Sequence, residues 1–310
     1  PISAPRRRTT ADTVYPILLL VSVTHLLNDM MQSVIPAVYP LLKAKFGFSF
    51  AQIGLITLVF QMTSSILQPF VGRYADRHPR PYSLAAGMCF TLAGLFALAL
   101  APGFAPILLA VALIGWGSSI FHPESSRVAQ LASGGRKGLA QSIFQVGGNA
   151  GSAFGPLLAA LVVIPYGQTS IMWFAPAALL AIGILLRIGN WYKRQLNAAT
   201  AAPVTATAAA AELPRRKIRR ALLILTVLVF SKYFYIACMT NYFTFFLMDK
   251  FAFSVQDAQY SLFAFLAASA AGTVIGGPLG DRIGRKYVIW GSILGAAPFA
   301  LMLPYAGSGS

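Results

Sequence analysis

"GPLGDRIGRK", residues 277–286, closes an apolar run that begins near residue 256, and its reading decides the fold. The same pattern occurs once before. Sliding the sequence along itself by 205 positions lays Gly72, Asp76, Arg77 and Arg80 of "GRYADRHPRP" (72–81) on Gly277, Asp281, Arg282 and Arg285. The shift also places "KFGFS" (45–49) on "KFAFS" (250–254). One offset that aligns two motifs a whole apolar segment apart marks a duplicated unit. Parallel repeats of membrane helices are an architecture of transporters, with the substrate site between the halves near the bilayer midplane.

Composition agrees with a membrane chain. Of 310 residues, 57% are hydrophobic and 10% charged, with a mean hydropathy of +0.68, far from a soluble domain of this length. A bilayer core about 30 Å thick takes about 20 helical residues. Nine segments pass that test, approximately 15–42, 50–72, 82–101, 104–131, 138–164, 169–190, 221–248, 256–279 and 287–305. The formal charge of +16 is set by where Lys and Arg fall and forms no stripe suited to nucleic acid. With the N-terminus in the cytoplasm, nineteen of the 24 basic residues lie in inner segments and only Lys43, Lys45 and Lys250 in outer loops. Arg6, Arg7 and Arg8 precede the first apolar run without a small-residue cleavage pattern, so that run reads as an uncleaved span. An Ala/Thr/Pro-rich stretch ending in "PRRKIRR" separates the sixth and seventh segments and reads as a linker. The expected division is a cytoplasmic tail (1–14), a six-helix half (15–195), a cytoplasmic linker (196–220) and an incomplete second half (221–310).

The loop motif carries a resemblance. "GPLGDRIGRK" fits every position of GxxxDRxGR[RK], with Gly284 and Lys286 completing it, while the first copy has His78 and Pro79 where the pattern has a variable residue and glycine. The chain thus resembles the major facilitator superfamily. "FHPESSR", "GLAQSIFQVGGN" and "FSKYFY" are similar to stretches of its bacterial drug efflux members. The resemblance implies an all-α fold of twelve membrane helices, nine of them present, as in a C-terminally truncated chain. It implies an inner-membrane monomer that exports a small anionic drug of phosphonate type in exchange for protons, with no cofactor. It also implies that spans one, four and seven line a central cavity. An organic-anion or sugar-phosphate importer of the same fold, and a fragment that does not transport, stand beside that reading.

Polar residues inside a membrane are costly, so their positions point to function. On the first span His25, Asp29 and Gln32 recur at helical spacing with Asn28 beside them. The fourth carries His122, Glu124 and Arg127, and the seventh Ser231, Lys232, Tyr233, Tyr235, Thr240 and Asn241. Under the shift of 205, Lys232 falls on Leu27, which predicts an Asp29–Lys232 pair at matching depth. Lys232 is then the expected receptor of the substrate's anionic group, with Tyr233 and Tyr235 beside it. Glu124 and Arg127, three apart, are expected to pair on one helical face near the cytoplasmic end, in proton handling or gating or as a simple anchor. The two GxxxDR loops are expected to break and remake contacts as the halves rock. Gly151, Gly155 and Pro156 on the fifth span form GxxxGP, a close-packing pattern with a bend, and resemble part of a drug/proton antiporter motif.

Other chemistries lack their residues. No CxxC accompanies the H-x-E of "HPES", and His25, His78 and His122 are scattered in sequence, which argues against a metal site. No G-x-S-x-G or phosphate-binding loop is present, so neither a hydrolase nor an ATP-driven pump is expected and no residue is assigned a catalytic role. Cys89 and Cys238 lie in apolar runs and read as packing residues.

Overall fold

The computed structural model describes residues 12–200 and 215–305, apart from the side chains of residues 199, 200, 215, 277, 278, 280, 281 and 285. Arg6–Arg8 and linker residues 201–214 lie outside the described residues. Among the described residues, nine helices are long and apolar enough to cross a membrane. They are span 1 (Tyr15–Phe46), span 2 (Phe50–Arg77), span 3 (Ser83–Leu100), span 4 (Phe104–Leu131), span 5 (Lys137–Tyr166), span 6 (Gln168–Ala198), span 7 (Arg216–Phe251), span 8 (Val255–Gly276) and span 9 (Lys286–Tyr305). The helices around the linker are longer than expected: one continues to Thr200 and the next starts at Arg215, inside the segment assigned to linker. Ala, Arg and Lys are strong helix formers, so these polar ends continue the turns begun by the apolar residues.

The repeated "KF-x-FS" motif is a repeated turn. Gly47, at φ 69°, ends span 1, and the Ser49 side chain accepts from the Gln52 backbone N–H while Gln52 returns the bond to Ser49 N. In the second copy Ala252 sits at φ 54° and Ser254 Oγ accepts from the Asp257 backbone N–H at 3.1 Å. The left-handed conformation is nearly free for glycine and costs an alanine about 1 kcal/mol. Ala252→Gly is therefore expected to raise unfolding free energy by up to about 1 kcal/mol, read as a higher midpoint in a thermal melt in detergent.

Glycines set which spans touch. On span 5, Gly147, Gly151 and Gly155 lie over Ser22, Leu26 and Ser33 of span 1, close enough that a Cβ at Gly151 would overlap the Leu26 carbonyl. The GxxxGP pattern is thus the contact between spans 1 and 5. Gly94 and Gly117 bring spans 3 and 4 together in the same way. Spans 2 and 5 each contain a π-helical turn, Met62–Ile66 and Ala159–Val163, at which a helix accommodates an extra residue. Spans 1 to 6 share one buried core. Span 8 packs Leu262 and Leu266 against Ala153 of span 5, and its Gln259 Nε2 donates 2.7 Å to the Ala37 carbonyl of span 1. Span 7 joins span 2 where Thr57 Oγ1 donates to Asn241 Oδ1 at 2.8 Å.

Candidate functional site

Three side chains from two spans meet in the interior. His25 and Asp29, one turn apart on span 1, have Nε2 and Oδ2 3.2 Å apart. From span 4, His122 Nε2 stands 3.8 Å from the other carboxylate oxygen, Oδ1, which also accepts from Asn28 Nδ2 at 3.0 Å. Span 5 fixes the His25 ring: Nδ1 lies 2.8 Å from the Phe144 carbonyl oxygen, and the Phe144 ring stacks on it with centroids 3.9 Å apart. Gly148 supplies the remaining space, because a Cβ there would strike His25 and lie 2.9 Å from Asp29 Oδ2. His25 is buried, at 3% exposure, and Asp29 nearly so at 16%.

Polar atoms around this cluster are incompletely matched. Gln32 Oε1 accepts from Ser118 Oγ of span 4 at 3.1 Å, but Gln32 Nε2, Asn28 Oδ1 and His122 Nδ1 are buried without a hydrogen-bond partner. Such groups are rare in folded interiors, and these three lie on spans 1 and 4 beside the cluster.

A second cluster lies where the first GxxxDR loop meets span 4. Arg127 reaches Asp76 and donates 2.7 Å to the Ala75 carbonyl. Its other neighbours are Glu124, 3.7 Å away, and the Tyr192 hydroxyl of span 6 at 3.5 Å. Glu124 is 1% exposed and accepts from Ser83 Oγ at the start of span 3 at 3.1 Å. The guanidinium therefore ties the end of span 4 to those of spans 2 and 6, and Glu124 adds the start of span 3. The expected Glu124–Arg127 contact is present, and Glu124 lies at the loop end of the bundle as the helix count predicts. Of the other loop residues, Arg77 and Arg80 are exposed, Arg80 donating to the Tyr74 hydroxyl at 3.3 Å. Gly72 faces Pro123 of span 4. In the second copy Arg282, Gly284 and Lys286 are exposed, and Arg285 begins the last helix. The Gly277, Asp281 and Arg285 side chains lie outside those described.

Two expectations are corrected. Asp29 is not paired with Lys232: among the described residues its ionic partners are His25 and His122, while Lys232 is exposed, its ammonium 5.3 Å from the Tyr233 ring centroid. A sequence shift fixes depth along a helix but not the face presented, and span 1 meets its charge within its own half. The histidines are also not scattered, since His25 and His122 converge on Asp29. The ground for discounting a metal therefore fails for two of the three. One ligand atom from each of His25, Asp29 and His122 lies within 4.8 Å of the others, and the two Asp29 oxygens turn to different rings. On span 7, Tyr233 is exposed and Tyr235 packs edge-on against Phe265 of span 8. Asn241 serves the contact with span 2, away from the histidines. Pro156 is buried in span 5 beyond Gly155. Phe144, Gly148, Ser83 and Tyr192 escape the sequence reading. The adjacent glycines of "QVGGN", in register with Gly151 and Gly155, were the available signal for the span 5 partners.

Residues 21–310 match the family described as Major Facilitator Superfamily. The chain is 59% identical over 307 residues to the fosmidomycin resistance protein of Escherichia coli (strain K12), an alignment that takes in 99% of this chain and 75% of that protein. It is 44% identical over 311 residues to an uncharacterized MFS-type transporter of Bacillus subtilis (strain 168), covering 99% and 76% of the two chains. Among solved structures, a D-xylose–proton symporter superimposes with a TM-score of 0.66 at 16% identity, over 89% of this chain and 71% of that one. A bacterial homolog of the human lysosomal transporter Spinster gives 0.67 at 17% identity, and the chain spans 63% of its length.

Proposed function

This chain belongs to the Major Facilitator Superfamily, and from that membership we propose that it is a secondary active transporter that exports a small anionic drug, a phosphonate of the fosmidomycin class, in exchange for protons. The carrying observation is the His25–Asp29–His122 cluster, which gathers ionisable side chains of spans 1 and 4 around the buried His25. Ionisable groups are kept inside a membrane where substrates or protons pass. The relative from Escherichia coli, by its name a fosmidomycin resistance protein, supports the substrate class. Lys232 supplies a cation for the phosphonate on span 7, with Tyr233 and Tyr235 as hydroxyl donors beside it. The Arg127 cluster supports a gating role for the Asp76 loop, because rocking the bundle end would have to break the Asp76–Arg127 contact. The protein acts as a monomer in the bacterial inner membrane, and the nineteen-to-three bias of basic residues supports an N-terminus in the cytoplasm.

One observation favours a second reading, symport of an organic anion. A proton on the buried cluster makes the site more positive, which favours an anion bound at the same time, whereas antiport requires the two to alternate. Proteoliposomes under an imposed pH gradient separate the readings by direction. In drug-sensitive cells, expression of the chain is expected to raise tolerance of fosmidomycin, and Lys232→Gln to return it to that of cells without the chain. Unchanged tolerance with the unsubstituted chain would overturn the export reading, and full tolerance with Lys232→Gln would remove the anion role of Lys232.

A further inference from the structure

We propose that His25 and Asp29 form the proton-binding site, holding one transferable proton between Nε2 and Oδ2, and that Asp29 turns from His25 to His122 when the proton leaves. This deepens the reading of the chain as a proton-coupled transporter and rests on it for its purpose, though not for its test.

The protonation state follows from hydrogen-bond inventory. A carbonyl oxygen only accepts, so the 2.8 Å contact with Phe144 requires a hydrogen on His25 Nδ1. A neutral ring with its hydrogen on Nδ1 presents a lone pair at Nε2. That lone pair would then face Asp29 Oδ2 at 3.2 Å, two acceptors in contact in a buried place. One additional proton turns the contact into a hydrogen bond. The proposal places that proton on the ring, so that the pair is an imidazolium donating from Nε2 to the carboxylate oxygen Oδ2. The ring cannot turn away to avoid this, because Phe144 stacks on its face and span 5 packs against it at Gly148.

Release of the proton from Nε2 to water restores the lone pair and makes the contact repulsive. The carboxylate has a second place to go. Its Oδ1 already lies 3.8 Å from His122 Nε2 and accepts from Asn28. His122 Nδ1 has no partner, so a neutral His122 can carry its hydrogen on Nε2 and donate it to Asp29. His122 is the titratable group facing the pair from span 4; span 5 presents Phe144 and Gly148, which do not titrate, and Lys232 of span 7 makes no ion pair with it among the described residues. With the proton bound, Asp29 therefore pairs within span 1. Without it, Asp29 bridges spans 1 and 4. Because His122 is five residues from Arg127 on the same helix, occupancy of the proton site bears on the span that carries the loop contact.

The chain has three histidines, which makes the state of each ring measurable by nitrogen-15 NMR of histidine-labelled protein in nanodiscs. His78→Gln and His122→Gln assign the signals. His25 is expected as a ring protonated on both nitrogens, and in Asp29→Asn as a ring protonated on Nδ1 alone. A His25 ring protonated only on Nε2, or one unchanged by Asp29→Asn, would overturn the proposal. Absence of transport in proteoliposomes would defeat the transport reading and leave this spectrum to decide the proton site on its own.

Discussion

Asp29→Asn is expected to lower gradient-driven export by about tenfold or more while leaving substrate exchange at equal pH within about twofold. Exchange needs the substrate site and the movement of the halves, but no net transfer of protons. The amide keeps the shape of the carboxylate and can still accept at Oδ1 from Asn28. What it loses is the charge that holds a proton on His25 and the means of passing to His122. Counterflow in proteoliposomes without a pH gradient, set beside accumulation with one, measures the two arms. Loss of both would mean that Asp29 is a structural support. Retention of both would place the coupling elsewhere, with Glu124 as the next buried carboxylate.

Gly151→Val is expected to be about as damaging for a different reason. A Cβ at Gly151 would overlap the carbonyl oxygen of Leu26 and lie 2.9 Å from its carbon, so the intruding atoms meet backbone that cannot rotate aside. Overpacking of this kind costs about 1–3 kcal/mol, and here it also separates span 5 from the span that carries His25 and Asp29. The melt in detergent should shift downward and gradient-driven export should fall together. Gly183→Ala is the control: nothing lies within 4 Å of a Cβ at Gly183, and the substitution should leave stability unchanged or slightly higher. A Gly151→Val protein that melts and exports normally would show that the close contact between spans 1 and 5 is dispensable.

The fold was legible because membrane helices announce themselves by length and hydropathy, and all nine expected segments coincide with helices whose ends differ from them by up to eight residues, most where span 6 runs on to Ala198. The 205-residue repeat was legible because it preserves turns: Ser49 and Ser254 cap equivalent helices. The site was legible as a set of residues and not as an arrangement. Helical spacing placed His25, Asp29 and Gln32 on one face, and the resemblance assigned spans 1 and 4 to the interior. Neither says which residue opposes which, since that depends on the rotation of each helix about its own axis. Depth alone therefore matches Asp29 with Lys232, whereas its partners are one turn back on its own helix and across on span 4. The role of span 5 was hidden further, because it contributes a backbone carbonyl, a ring face and the absence of a side chain.

The π turn in span 2 bears on the symmetry from which the repeat was recognised. Between "KFGFS" and the first GxxxDR loop the chain has as many residues as between "KFAFS" and the second, yet the first interval contains the π turn Met62–Ile66 and the second runs as α-helix from Val255 to Ile283. An extra residue absorbed in one turn changes the angular phase of everything after it by about 100°. The two loops, matched at Gly72/Gly277, Asp76/Asp281, Arg77/Arg282 and Arg80/Arg285, therefore follow helices that are wound differently. The duplication is preserved in residue count and broken in winding, so a segment exchanged between the copies would carry its register along with its sequence. The two halves of this protein are unequal in their backbones before any side chain distinguishes them.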